Sequence, residues 1–151
     1  ANPPSAFLEK ELQRFPDWIV WHTLISPKLA LRTAEVQAIG PETFRVRLVV
    51  ENTGWLPSYV TKKALDKKVS RGLICEIQLP EGAVLKAGKL REEAGELEGR
   101  AYKSAQTDGG EGDSDDRVKV EWVVHAPAGG KVGITARHDR AGVVRVELDL
   151  K

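Results

Sequence analysis

With 151 residues, 41% of them apolar and 30% charged, the chain has the size and make-up of one globular domain, which excludes the disordered and membrane-embedded classes. Lys plus Arg number 23 against 22 Asp plus Glu, so no basic excess marks a nucleic-acid surface. No run approaches the ~20 consecutive apolar residues of a membrane span, and no signal peptide opens the sequence. Cys75 is the only cysteine, so no intrachain disulfide forms, and a chain of this length buries about two-thirds of its unfolded surface without one.

The chain contains no Met, and its opening Ala1-Asn2-Pro3-Pro4 reads as a linker, which suggests a piece of a longer protein. Removal of a signal peptide or of the initiator Met gives the same picture. Ser5 to Arg14 is predicted as a short helix, with Ser5 as its cap, Leu8, Leu12 and Phe15 at helical spacing, and Pro16 as its stop. Asp17 to Pro27 follows, carrying Trp18, Ile19, Val20, Trp21, Leu24 and Ile25 with no clean period of two. It is the most apolar patch of the chain and needs a surface to cover it. Residues 1–27 are therefore expected to be a helix and an apolar linker leading from an upstream domain, and residues 28–151 a β-sandwich domain.

From Leu29 onward the pattern is strands and turns. Leu29, Leu31 and Thr33 alternate, then Ala34, Val36 and Ala38 alternate in the opposite phase, the signature of a β-bulge. Gly40-Pro41-Glu42 makes a turn, and Phe44, Val46, Leu48 and Val50 form one buried face of the next strand. Asn52 to Lys68 is a long connection, expected to cross between sheets, with a helical turn capped by Thr61. Leu73, Cys75, Ile77 and Leu79 give another strand, ended by Pro80-Glu81-Gly82; Ala83 to Ala87 and Leu97 to Tyr102 are weaker candidates. The stretch from Thr107 to Asp116 lacks apolar residues and reads as a mobile loop. Three strands close the chain, on Val118, Val120, Trp122 and Val124, on Val132, Ile134 and Ala136, and on Val144, Val146, Leu148 and Leu150. The short turns Pro127 to Gly130 and Asp139 to Gly142 make them sequential antiparallel neighbours. The expected fold is all-β, an immunoglobulin-like antiparallel sandwich of seven to eight strands with a short N-terminal helix.

Chemistry is sparse. His22, His125 and His138 are the only histidines, and neither an H-E-x-x-H nor an H-x-x-E occurs. His125 and His138 approach each other only if Pro127 to Gly130 closes a hairpin; ordinary surface histidines are the expectation, and an independent metal enzyme built on this pair is the remaining enzyme-class reading. Cys75 shares the phase of Leu73 and Ile77 and reads as inert core. The acidic residues Asp108, Glu111, Asp113, Asp115 and Asp116 lack calcium-loop spacing and read as solvated. No catalytic, metal or cofactor residue is assigned to this chain. The aromatic residues are the remaining candidates. Trp55 and Tyr59 lie on a loop with Asn52 and Thr53 as polar neighbours, so that Trp55 either plugs the open end of the sandwich or recognises a ligand. Trp18 and Trp21 either face a preceding domain or fold back over the sheet.

Several stretches carry a resemblance: Val50-Glu51-Asn52-Thr53-Gly54-Trp55-Leu56-Pro57-Ser58-Tyr59-Val60-Thr61 and Trp18-Ile19-Val20-Trp21-His22, with Leu79-Pro80-Glu81-Gly82-Ala83, Leu97-Glu98-Gly99-Arg100 and Arg140-Ala141-Gly142. Together they resemble the region that follows the catalytic domain in bacterial zinc carboxypeptidases of the carboxypeptidase A type, over almost the whole chain from about Phe15. The resemblance implies a parent hydrolase that removes C-terminal residues with a zinc-activated water, its zinc and ligands lying upstream. None of that family's catalytic residues has a counterpart here, so the resemblance leaves this chain without a reaction. It implies a non-catalytic C-terminal domain whose partner is the upstream peptidase domain. An extracytoplasmic or secreted parent is the expectation. The alternative is a module binding peptide, glycan or cell-surface polymer through Trp55 and Tyr59.

Overall fold

The structure, a computed structural model, describes residues 4–100 and 116–151. Two helices come first, α1 (Ser5–Leu12) and α2 (Phe15–Ile25). The cap of α1 is Pro4, whose φ of −54° and ψ of 145° precede the first turn, and no side chain closes it. Ser5 is therefore a residue of the helix and not its cap. Pro16 stops nothing: it stands in the first turn of α2, where its missing N–H is not needed. The segment read as an apolar linker is thus an eleven-residue helix. It has no two-residue period, and its apolar side chains point in all directions and show no helical stripe either.

The strands are β1 (Leu29–Gly40), β2 (Thr43–Asn52), β3 (Ile74–Gln78), β4 (Val84–Ala87), β5 (Arg91–Glu93), β6 (Arg117–His125), β7 (Gly130–His138) and β8 (Gly142–Leu150), with a short helix α3 (Lys62–Asp66) between β2 and β3. They form two four-stranded antiparallel sheets, ordered β1-β2-β6-β4 and β5-β3-β7-β8. The first order is that of the ABED sheet of an immunoglobulin constant-type sandwich, and β3, β7 and β8 stand where C, F and G do. The eighth strand, β5, lies outside β3.

Alternation explains the core. Val46, Leu48 and Val50 from β2 and Val120, Trp122 and Val124 from β6 meet Cys75, Ile77, Val132, Ile134 and Ala136 from the other sheet, all buried. The expected slip in β1 is present, because the pairing with β2 shifts between Leu31 and Thr33. The intervening Arg32 reaches Glu51 at 2.9 Å. On the solvent face of this sheet Glu35, Arg47 and Glu121 stand in register across three strands and pair at 2.9 Å on both sides. Those contacts raise the Arg47 pKa, through Glu121 first, and lower that of Glu121, through Arg47 first.

Two strand expectations need correction. Leu97 to Arg100 is not a strand: Leu97 is buried, but its amide and carbonyl bond Ser58 and not a neighbouring strand. Ala101 and Tyr102 lie outside the described residues. The strand nearby is β5, whose Arg91, Glu92 and Glu93 sit on a sheet edge and carry no apolar alternation. The turn after β6 is not a hairpin, since β6 and β7 belong to different sheets. It is the last of five crossings between the sheets, tightened by the Gly129 amide on the Ala126 carbonyl. The first crossing, from β2 to β3, matches expectation, with Thr61 capping α3 through its hydroxyl on the Ala64 amide.

Candidate functional site

Asn52 ends β2 inside the protein, almost fully buried. Its Oδ1 accepts from the amides of Lys28 (2.9 Å) and Gly54 (3.0 Å), and its Nδ2 donates to the carbonyls of Leu56 (2.8 Å) and Glu98 (3.1 Å). A buried amide that fills all four of its positions is rigid and has nothing left for a ligand. The expected role of Asn52 as a polar partner of an incoming molecule is therefore corrected: its partners come from three segments of the chain itself. Thr53 is likewise committed, its amide and hydroxyl both donating to the Lys28 carbonyl.

The same loop docks on the end of α2. The amides of Trp55 and Leu56 both donate to the Ile25 carbonyl. Contact is close enough that a Cβ on Gly54 would lie 2.1 Å from the Ser26 carbonyl oxygen, and one on Gly99 would lie 2.2 Å from that of Trp55. The exit of α2, the loop after β2 and residues 98–100 are thus packed backbone against backbone. Trp55 is left with its side chain 53% exposed, so it does not plug the end of the sandwich. Tyr59 is half-buried and donates to Glu98 Oε1 at 2.7 Å. Trp18 and Trp21 are both exposed and do not fold back over the sheet.

The histidines part company. His125 ends β6 near Thr43 and Glu42, while His138 ends β7 in the other sheet, so no hairpin brings them together. His138 is not a surface residue. Its Nε2–H donates to Glu96 Oε2 at 2.9 Å, and its Nδ1 accepts from the amides of Arg140 and Ala141. Ser58, fully buried, donates to the same Glu96 oxygen and takes the Leu97 amide on its Oγ. Ser58 and Glu96 have no sequence signal and His138 is expected only as a surface histidine or a partner of His125, because the members of the trio stand about 40 residues apart. The serine bonds the carboxylate and not the imidazole, so the trio is a brace between loops rather than a nucleophile with its base. Among the described residues, no three His, Cys, Asp or Glu side chains gather to hold a metal ion. Most of the acidic stretch, residues 107–115, lies outside the described residues; Asp116 is buried, and its carbonyl takes the Asn52 amide.

A family model for a domain of unknown function, DUF8731, matches residues 28–149. The chain belongs to that family. The match begins where α2 ends, so this DUF8731 domain consists of the sandwich, with the two helices in front of it. No curated protein matches the chain. Among solved structures, β-glucosidase 3B from Thermotoga neapolitana, in complex with α-D-glucose, is similar at 17% identity and a TM-score of 0.34. That likeness covers 82% of this DUF8731 chain and 16% of the enzyme, and carries no argument about function.

Proposed function

We propose that this DUF8731 domain is a non-catalytic accessory domain of a longer zinc carboxypeptidase of the carboxypeptidase A type, docked on the peptidase domain that precedes it. The observation that carries the reading is α2. Trp18, Ile19, Val20 and Trp21 are each more than half exposed, and no buried residue anchors either helix. An exposed apolar surface of this kind marks an interface. The resemblance of the Val50–Thr61 run supplies the identity of the partner. The hydrolytic activity and the zinc belong in this reading to the upstream domain, where a zinc-bound water would do the chemistry. Among the described residues no set of side chains fits a metal. The experiment is a peptidase assay with added zinc on peptides bearing free C-terminal residues, run on the full-length protein and on this chain alone. Activity is expected only in the full-length protein, and Trp21→Asp is expected to lower the temperature at which its peptidase domain unfolds. Chelator-sensitive cleavage by this chain alone would sink the reading.

The binding-module alternative keeps one favouring observation, the exposed indole of Trp55, and loses Asn52 and Thr53 to internal bonds. Retention of the wild type, but not of Trp55→Ala, on an immobilised peptide or polysaccharide is what it requires.

A further inference from the structure

On the outward face of the second sheet, residues paired across strands lie side by side. Glu76, Thr135 and Arg145 form one row, and Gln78, Gly133 and Glu147 form the next. Glu76 is matched by its neighbours, with Arg91 at 2.9 Å and Arg137 at 3.4 Å. Gln78, Thr135, Arg145 and Glu147 make no side-chain hydrogen bond or ion pair among the described residues. These four line an open depression of about 200 Å³ together with Gly133. Gly133 stands inside β7, between β3 and β8, where a glycine weakens a sheet. Its φ lies outside the left-handed region, and a Cβ there would meet only Gln78, 3.5 Å from Oε1 and 3.8 Å from Cβ. That is ordinary contact, so neither backbone conformation nor packing asks for glycine. Nor is there a bulge, because β7 keeps its register with both neighbours. A strand glycine with none of these reasons marks a place where a ligand comes close.

The polar groups around the depression are sorted by charge. The Thr135–Arg145 row offers a hydroxyl and a guanidinium, which together suit a carboxylate. The Gln78–Glu147 row, about 7 Å further along the strands, offers an amide oxygen and a carboxylate, which suit an ammonium. Opposite charges held that close together on one ligand are those of a free α-amino acid. The depression is smaller than the about 300–1,000 Å³ of pockets for drug-sized ligands, so it takes one small molecule. Its lining has no aromatic ring to stack on a sugar. We infer that this face of the β3–β7–β8 sheet binds a free α-amino acid as its zwitterion, over Gly133. Arg145 and Thr135 hold the carboxylate, and Glu147 and Gln78 hold the ammonium. The inference stands apart from the proposed function. Gln78, Arg145 and Glu147 are exposed, so water competes for each charge and the expected affinity is millimolar.

NMR titration of the complete chain, following the backbone amides of Gln78, Gly133, Thr135, Arg145 and Glu147, tests this. The probes are L-alanine, L-leucine, L-serine and L-lysine, added singly. Saturable shifts at these amides are expected with at least one of the four in the millimolar range. The N-acetyl derivative of that amino acid lacks the ammonium, and its carboxamide lacks the carboxylate. Each is expected to bind about tenfold more weakly or worse. Either derivative binding as well as its parent leaves a site for one charge and overturns the inference. Saturation of the same amides by glucose overturns it too, as does the absence of saturation with all four amino acids. Arg145→Ala and Glu147→Gln are each expected to abolish the shifts, and binding that survives both changes sinks the assignment. Gly133→Val fills the depression with a residue suited to strands. It is expected to abolish binding while raising the unfolding temperature. A lowered unfolding temperature would show that the glycine serves the fold, and retained binding that the depression is not the site; each overturns the inference.

Discussion

Trp122 shows how much a single residue commits in this core. Its side chain is fully buried, and its Nε1–H reaches the Lys89 carbonyl at 2.8 Å. The strap that supplies this carbonyl passes so close that a Cβ on Gly88 would sit 2.7 Å from the indole, and Gly88 has a φ of +92°. Trp122→Ala is expected to destabilise the domain by about 3–5 kcal/mol, read by urea unfolding, since it leaves both a cavity and an orphan carbonyl. Cys75 is buried nearby in the same core, where desolvation first and the Glu92 carboxylate second push its thiol up to about 11 from 9.0. At pH 8 only about one molecule in a thousand carries the reactive thiolate, so alkylation is expected to be negligible until the protein unfolds. The folded value lies above the unfolded one, so the native state holds its proton longer. Stability is therefore expected to fall as pH rises from about 9 to 11, and Cys75→Ser is expected to flatten that slope.

At the scale of elements, the clamp between α2 and the loop after β2 leaves no room for change. Gly54→Ala is expected to be strongly destabilising, because its Cβ meets backbone and not a flexible side-chain end. Asn52→Ala strands the amides of Lys28 and Gly54 inside the protein and is expected to cost about 1–3 kcal/mol for each amide left unpaired, checked by thermal unfolding. Trp55→Ala is expected to change the stability of this chain by less than about 0.5 kcal/mol, because its side chain is mostly in water. How far these elements could be read beforehand depends on the physics of each. β2 and β6 announced themselves because one buried face leaves a period of two. β5 did not, because an edge strand with charged residues on both faces has no such period. α2 escaped recognition because a helix apolar on every side has no stripe, and a stripe is what a sequence pattern displays. Asn52 looked like a loop residue because its four partners lie up to 46 residues away in the chain.

For the whole molecule, composition and alternation were enough to reach a two-sheet sandwich with a sheet crossing after Val50. The turn after His125 was misread, because a short turn joins neighbours within a sheet and neighbours across the core equally well. The candidate site was legible only in its aromatic members. Which of them face water is decided by the packing of distant segments, and that packing is not written locally. The helices contribute no buried residue, and their bonds to the sandwich at the clamp are the two amides on the Ile25 carbonyl. A chain of residues 28–151 is therefore expected to fold, with a loss of about 1–3 kcal/mol for those two bonds, measured by thermal unfolding against the complete chain.

The four tryptophans divide unequally, and the division has an optical consequence. Trp18, Trp21 and Trp55 are exposed where α2 leaves the sandwich, while Trp122 alone is enclosed. The intrinsic emission of the isolated native domain is thus expected to be dominated by wet indoles and to lie already toward the red, so that denaturation shifts it little. A partner that covered α2 would move Trp18 and Trp21 at once into apolar surroundings. Fluorescence of this protein is therefore expected to be a weak gauge of folding and a sensitive gauge of anything that covers α2.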